Sequence, residues 1–196
     1  SMIAIARIIF CNHLNLNLND LIDDATLTLN KKIGENTQKC KTFFKQRIEF
    51  VLSEQNIPTD IIQFFESKLL EAPNDSLNQA NELIKLKNEN KSNYQLIVET
   101  CIRTNKIANP DYQNEIINPE IFNEEIEKNA YHECMILEES ANDLSLSKES
   151  LPKIIKCCNT LTKYYEEVLI NSENKATTTN RQAFINKCNT LFIKCG

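Results

Sequence analysis

Apolar residues recur along the chain at three- and four-residue intervals, the spacing of helices that each bury one stripe. Ile3 to Cys11 reads as an apolar helix. Leu14, Leu16 and Leu18 alternate with asparagines in an extended link, and Asn19 or Asp20 then caps a helix to about Leu29. The stretch Asn30 to Asn36, which holds Gly34, is the expected boundary between segments. From Gln38 to Gln55 the pattern predicts an amphipathic helix burying Phe44, Ile48, Val51 and Leu52. Pro58 breaks the chain, Thr59 caps a further helix carrying Ile61 to Leu70, and Pro73 is expected to end it. Asp75 or Ser76 begins a helix to about Lys87, and Ser92 leads into the next.

That next stretch, Tyr94 to Asn109, draws the most notice. Tyr94, Ile97, Val98, Cys101, Asn105 and Ala108 fall on one stripe, Arg103 and Lys106 point away from it, and Pro110 disfavours helical geometry at Asn109. An amide at 105 interrupts an apolar stripe. One explanation is a buried asparagine tying down a loop, with cations near the negative end of the helix dipole. The other is a helix end that presents amides and cations to a nucleic acid. Beyond it, Pro110 to Asn118 is a connection, and Asn118-Pro119 reads as a cap with proline at the first helical position. Helices to about Ser140, from Ser147 to Leu169 and from Thr179 to Cys195 follow, the last with Ala183, Phe184, Cys188, Leu191 and Cys195 on its apolar face. Seven or eight helices packed antiparallel make the fold class all-α, a helical bundle.

Composition narrows the function more than the fold. Of 196 residues only Gly34 and Gly196 are glycine, which excludes a phosphate-cradling loop, a dinucleotide fingerprint and a Gly-flanked serine nucleophile. No apolar run approaches the length of a membrane span, so the chain reads as soluble, without a membrane partner. The formal charge of −5 opposes tight nonspecific binding to nucleic acid, but the charge is unevenly placed. Residues 111–150 carry eleven acids against two bases, and residues 151–196 carry seven bases against three acids. A polyanionic partner would have to use the second region.

The eight cysteines include no C-x-x-C pair, and His132-x-Cys134 and Cys157-Cys158 have no matching second half, so neither zinc nor another metal is expected. They read as small buried hydrophobes in a reducing cytoplasm. His13 and His132 are the two histidines, and neither has a nucleophile at a telling spacing. The Glu124-Glu125 and Glu138-Glu139 pairs point apart on a helix and read as solvated faces. Tyr164-Tyr165 offers rings for stacking on a base, or one ring inward and one outward. Asn180-Arg181 at a helix start offers a phosphate site or a cap. No catalytic residue emerges.

Several stretches, in order, resemble the C-terminal part of the β subunit of the bacterial two-subunit glycyl-tRNA synthetase, with its DALR-type anticodon-binding domain. They are Ile3-Ala4-Ile5-Ala6-Arg7-Ile8-Ile9 with Leu14 to Ile22, Phe43-Phe44-Lys45-Gln46-Arg47, Thr104 to Asn109, Asn118-Pro119-Glu120-Ile121-Phe122, Glu127 to Tyr131, Tyr164 to Ile170, and Asn180-Arg181. The chain departs from the family where a lysine aligns with Asn105, an arginine with Lys106, and phenylalanines with Tyr164 and Tyr165.

The resemblance implies residues 1–37 as the end of a preceding helical region and 38–196 as the anticodon-binding domain. With Ser1-Met2 resembling an expression scar, it implies a fragment of a longer protein. It also implies a noncatalytic piece of a glycine–tRNA ligase that uses ATP on a separate α subunit, with tRNA-Gly and that subunit as partners, no DNA, and no cofactor in this piece. Asn105, Lys106 and Asn109 are then expected on anticodon bases or nearby phosphates, Arg103 and Arg181 on the RNA backbone, and Tyr164 or Tyr165 under a splayed base. The related helical domain of another synthetase, such as the arginyl enzyme, and a helical protein-interaction module are the alternatives.

Overall fold

The computed structural model describes residues 2–29, 34–139 and 149–195, with side chains as far as 193. The described residues form helices and turns without a strand: α1 Met2–Cys11, α2 Leu18–Thr28, α3 Glu35–Glu54, α4 Thr59–Phe64, α5 Pro73–Glu89, α6 Lys91–Ile107, α7 Glu125–Glu139, α8 Leu151–Glu167 and α9 Lys175–Cys195. Short 3-10 turns at Pro110–Tyr112 and Pro119–Ile121 complete the set. The all-α expectation holds. No helix among the described residues is long and apolar enough to cross a membrane.

The chain divides into two compact units, residues 1–85 and 86–196, and the division falls inside α5. The expected segment boundary at Asn30–Asn36 lies partly outside the described residues; α3 begins at Glu35 and packs on both α1 and α2 within the first unit. That unit's core gathers Ala6, Ile9 and Phe10 of α1, Phe44, Ile48, Val51 and Leu52 of α3, and Ile61, Phe65, Leu69 and Leu83. The buried Asn74 ties the link after α1 in place, donating from Nδ2 to the carbonyls of Leu14 (2.6 Å) and Ile9 (3.3 Å).

Helix ends differ from expectation where cap and proline chemistry decide them. Asn17 caps α2, accepting from the amides of Asn19 and Asp20. Pro73 opens α5 where it was expected to close a helix, because a first-turn proline gives up only an amide that has no helical partner. The helix after Thr59 stops at Phe64, and turns carry Phe65, Leu69 and Leu70 into the core. Asn90 caps α6 in place of Ser92.

In the second unit α7 packs on α8, and α6 packs on α8 and α9. Residues 180–186 of α9 are buried on every side, polar ones included, so this unit centres on its last helix and not on Tyr94–Asn109. Phe184 of α9 sits amid the rings of Phe122, Tyr131 and Tyr164, at centroid separations of 5.7, 6.0 and 5.6 Å.

Candidate functional site

The stripe of α6 turns one residue from where its periodicity placed it. Tyr94, Ile97, Val98 and Cys101 are buried, but the next buried position is Thr104, and Asn105 is exposed. Thr104 is sealed because its hydroxyl donates to the Thr100 carbonyl (2.8 Å) and shares a hydrogen bond with the Tyr165 hydroxyl (2.7 Å). The amide at 105 therefore interrupts no core. It faces out beside Lys106, which is also exposed.

Tyr164 and Tyr165 offer no face to a base. Both rings are buried, packed on each other at 5.5 Å, and the stacking role expected of them is corrected. The two hydroxyls differ. Tyr165 is paired with Thr104, whereas the Tyr164 hydroxyl is buried with no hydrogen-bond partner among the described residues, and burial pushes its phenol up. Tyr164→Phe is therefore expected to leave stability unchanged or slightly raised, and Tyr165→Phe to cost about 1 kcal/mol. Urea unfolding midpoints of the two variants check the contrast.

Arg103 stays exposed but is engaged by a neighbouring helix. Its Nη2 donates to the Tyr165 carbonyl (2.8 Å) and its guanidinium lies 5.2 Å from the centre of that ring. Arg181 is buried, and the expectation that it grips RNA backbone is corrected as well. Its Nε donates to Glu127 Oε1 (2.7 Å), its Nη1 donates to the Leu169 carbonyl (2.7 Å), and Glu124 lies 3.5 Å away. Glu127 is fully buried, and its other oxygen accepts the amides of Asn123 and Glu124 at the start of α7. Burial alone would raise this carboxyl. Hydrogen bonds from Arg181 and those amides, with the Arg181 charge, outweigh it and hold the group below its ordinary value.

Two asparagines of α9 fasten the connection between α6 and α7. Asn186 accepts the Asn109 amide (2.9 Å) and donates to the Asn109 carbonyl (2.7 Å). Asn180 does the same to Asn118, at 2.7 and 3.1 Å. Each clipped residue precedes a proline and caps the following 3-10 turn with its own side chain, Asn109 to the Asp111 amide and Asn118 to the Glu120 amide. The side-chain oxygen of Asn109, a residue expected on RNA, is thus occupied as a cap. Asn180 and Arg181 lie buried inside α9, Asn180 as a clip, so they form neither a surface phosphate site nor a helix cap.

Between this strap and α9 lies a cleft of about 230 Å³ lined by Asn105, Ala108, Pro110, Gln113, Asn186, Asn189, Thr190 and Ile193. Its polar lining is amide and hydroxyl throughout, with no charged side chain. A second hollow of about 410 Å³ shares Gln113, Asn186 and Thr190 with it, so the two run together as one trough. The second part has Ile117, Ala183 and Leu191 on its walls, the half-buried ring of Tyr131, and the Lys187–Glu138 ion pair (2.8 Å). Of the seven residues expected at a site, Asn105 alone lines the trough, Lys106 is its neighbour on α6, and Asn109 underlies it through its backbone. Gln113, Asn189, Thr190 and Tyr131 were missed. The signal for α9 was present: Asn186, Asn189 and Thr190 form a polar flank beside the apolar positions 184, 188 and 191.

The first unit has its own hollow, about 610 Å³, between α3 and α4, with Phe50 and Ile62 among its lining. Arg47 lies over the ring of Phe43 at 4.1 Å nearby, and Ile5, Ile8, Phe43 and Phe50 are exposed. Among the described residues no group of three His, Cys, Asp or Glu is arranged to hold a metal ion. No protein-family model matches the chain, and no curated protein matches it.

Proposed function

We propose that the chain is a noncatalytic RNA-recognition module, the anticodon-reading end of a glycyl-tRNA synthetase β subunit, and that its 86–196 unit receives unpaired bases in the trough beside α9. The observation that carries this reading is the amide lining. A carboxamide offers a donor and an acceptor side by side, as a base edge does, and single-stranded loops are read through such edges. A cleft of this size is below the range of drug-sized pockets and suits one small planar group. Lys106 at the end of α6 supplies a cation for a neighbouring phosphate. The work asked of this module is recognition; glycine activation with ATP belongs, on the same resemblance, to the separate α subunit.

The test is titration of the chain with tRNA carrying the glycine anticodon and with anticodon-substituted copies, at two salt concentrations. The cognate tRNA is expected to bind at least tenfold more tightly than the substituted copies. Lys106→Ala is expected to weaken all of them several-fold and to flatten the salt dependence, the behaviour of a phosphate contact. Equal affinity for every copy would overturn the anticodon reading.

A second reading is favoured by the exposed apolar side chains of residues 1–85, Ile5, Ile8, Phe43 and Phe50 among them, which suit docking to another protein. In the enzyme that the chain resembles, that protein is the α subunit or the remainder of the β subunit.

A further inference from the structure

Three thiols meet in the core of the second unit, one from each of α7, α8 and α9. The Cys134 sulfur stands 3.1 Å from that of Cys188 and 3.5 Å from that of Cys157. All three are buried to within 1 % of complete enclosure, and all are free thiols. In the sequence they are separated by 23 and 54 residues from Cys134, so no short motif marks them. Small apolar residues would fill the same space. Sulfurs placed in a row with one central member do something that alanine or valine cannot: the central sulfur can bond to either neighbour.

We propose that this row is an oxidative modification site, in which a hydroperoxide joins Cys134 to Cys188 as a disulfide across α7 and α9, with Cys157 as the alternative partner. The two sulfurs need to approach by only about 1 Å to reach bonding distance. In the first step the Cys134 thiolate attacks one oxygen of the peroxide. The O–O bond breaks, a sulfenic acid forms, and the departing hydroxide takes the thiol's proton as water. In the second, the Cys188 thiolate attacks the sulfenic sulfur, the S–O bond breaks, and the oxygen leaves as a second water with the Cys188 proton. Two thiols and one hydrogen peroxide give one disulfide and two waters. Enclosure sets the class of oxidant: a hydroperoxide near the size of water is small enough for the site, and a bulky disulfide reagent is kept out. The hydrogen bond with Cys157 favours the Cys134 thiolate, but the bond with Cys188 and burial outweigh it and hold the Cys134 thiol well above its ordinary value. Burial pushes Cys188 up too, so the reaction is slow beside that of exposed Cys11.

The experiment treats the folded chain with hydrogen peroxide, blocks remaining thiols by alkylation after unfolding, and maps cross-linked peptides by mass spectrometry. The expected product is a Cys134–Cys188 cross-link with the loss of two hydrogens, and glutathione disulfide is expected to leave the row reduced. In Cys188→Ala the cross-link is expected to move to Cys134–Cys157, and in Cys134→Ala both should vanish. The wild-type map decides the matter even if a variant fails to fold. Core thiols that stay fully alkylatable while Cys11 oxidises would overturn the proposal, as would a cross-link obtained only from protein oxidised in denaturant.

Discussion

Replacing Arg181 by methionine is expected to cost roughly 3–5 kcal/mol, because it strands a buried carboxylate without its partner. Glu127 is wholly enclosed and Arg181 nearly so, which removes the water that makes surface pairs weak. The guanidinium also holds the Leu169 carbonyl, so its loss frees the chain end that follows α8. The pH dependence separates charge from packing. In the native chain the folded Glu127 carboxyl is depressed below its ordinary value of 4.5, so its contribution is present above that value and is lost as pH falls through the folded one. In Arg181→Met the carboxyl is buried without its cation, its folded value rises, and acidification relieves the variant. The stability gap between the two proteins should therefore be widest near neutrality and narrow on acidification. Urea unfolding midpoints across this range give the answer, and a gap independent of pH would mean that Arg181 acts by packing alone.

Phe184→Ala is expected to cost a similar amount, about 3–5 kcal/mol. The ring is completely enclosed and meets three others edge-on, so its removal leaves a cavity among rigid neighbours that close over it poorly. One of those neighbours is Tyr131, on the wall of the trough. The substitution should accordingly reduce near-ultraviolet circular dichroism along with the unfolding midpoint. A midpoint shift worth less than about 1 kcal/mol would show that the aromatic cluster repacks freely.

The helices themselves were legible because their apolar residues repeat with the helical period over ten or more positions, as in α3 and α8. Pro73 was misread because a proline beside an apolar run marks a helix start as well as a stop, and only the backbone ahead of it tells which. The Asn105 position was misread by one residue. Thr104 and Asn105 are both polar and adjacent, and a stripe at 100° per residue admits either; a hydroxyl that returns its proton to the preceding turn is the cheaper one to bury. The tyrosine pair met neither of its two readings, because both rings are buried, and Thr104 makes that possible for Tyr165 by giving its hydroxyl a buried partner. Arg181 looked like a surface cation because its partner lies 54 residues away. The trough was least legible, since its walls come from α6, the strap and α9, and local periodicity does not say which distant elements will face each other.

The two asparagine clips have a consequence for the length of the strap they hold. Asn180 and Asn186 are separated by six helical steps, about 9 Å along the axis, whereas the chain from Asn109 to Asn118 could extend about 30 Å. Most of that contour is slack, taken up in the tight turn at Pro110–Tyr112 and an outward bow that leaves Ile116 90 % exposed. The anchors fix where the bow begins and ends but not how many residues it contains. The tip can therefore gain or lose residues and change the mouth of the trough while the helices beneath keep their register.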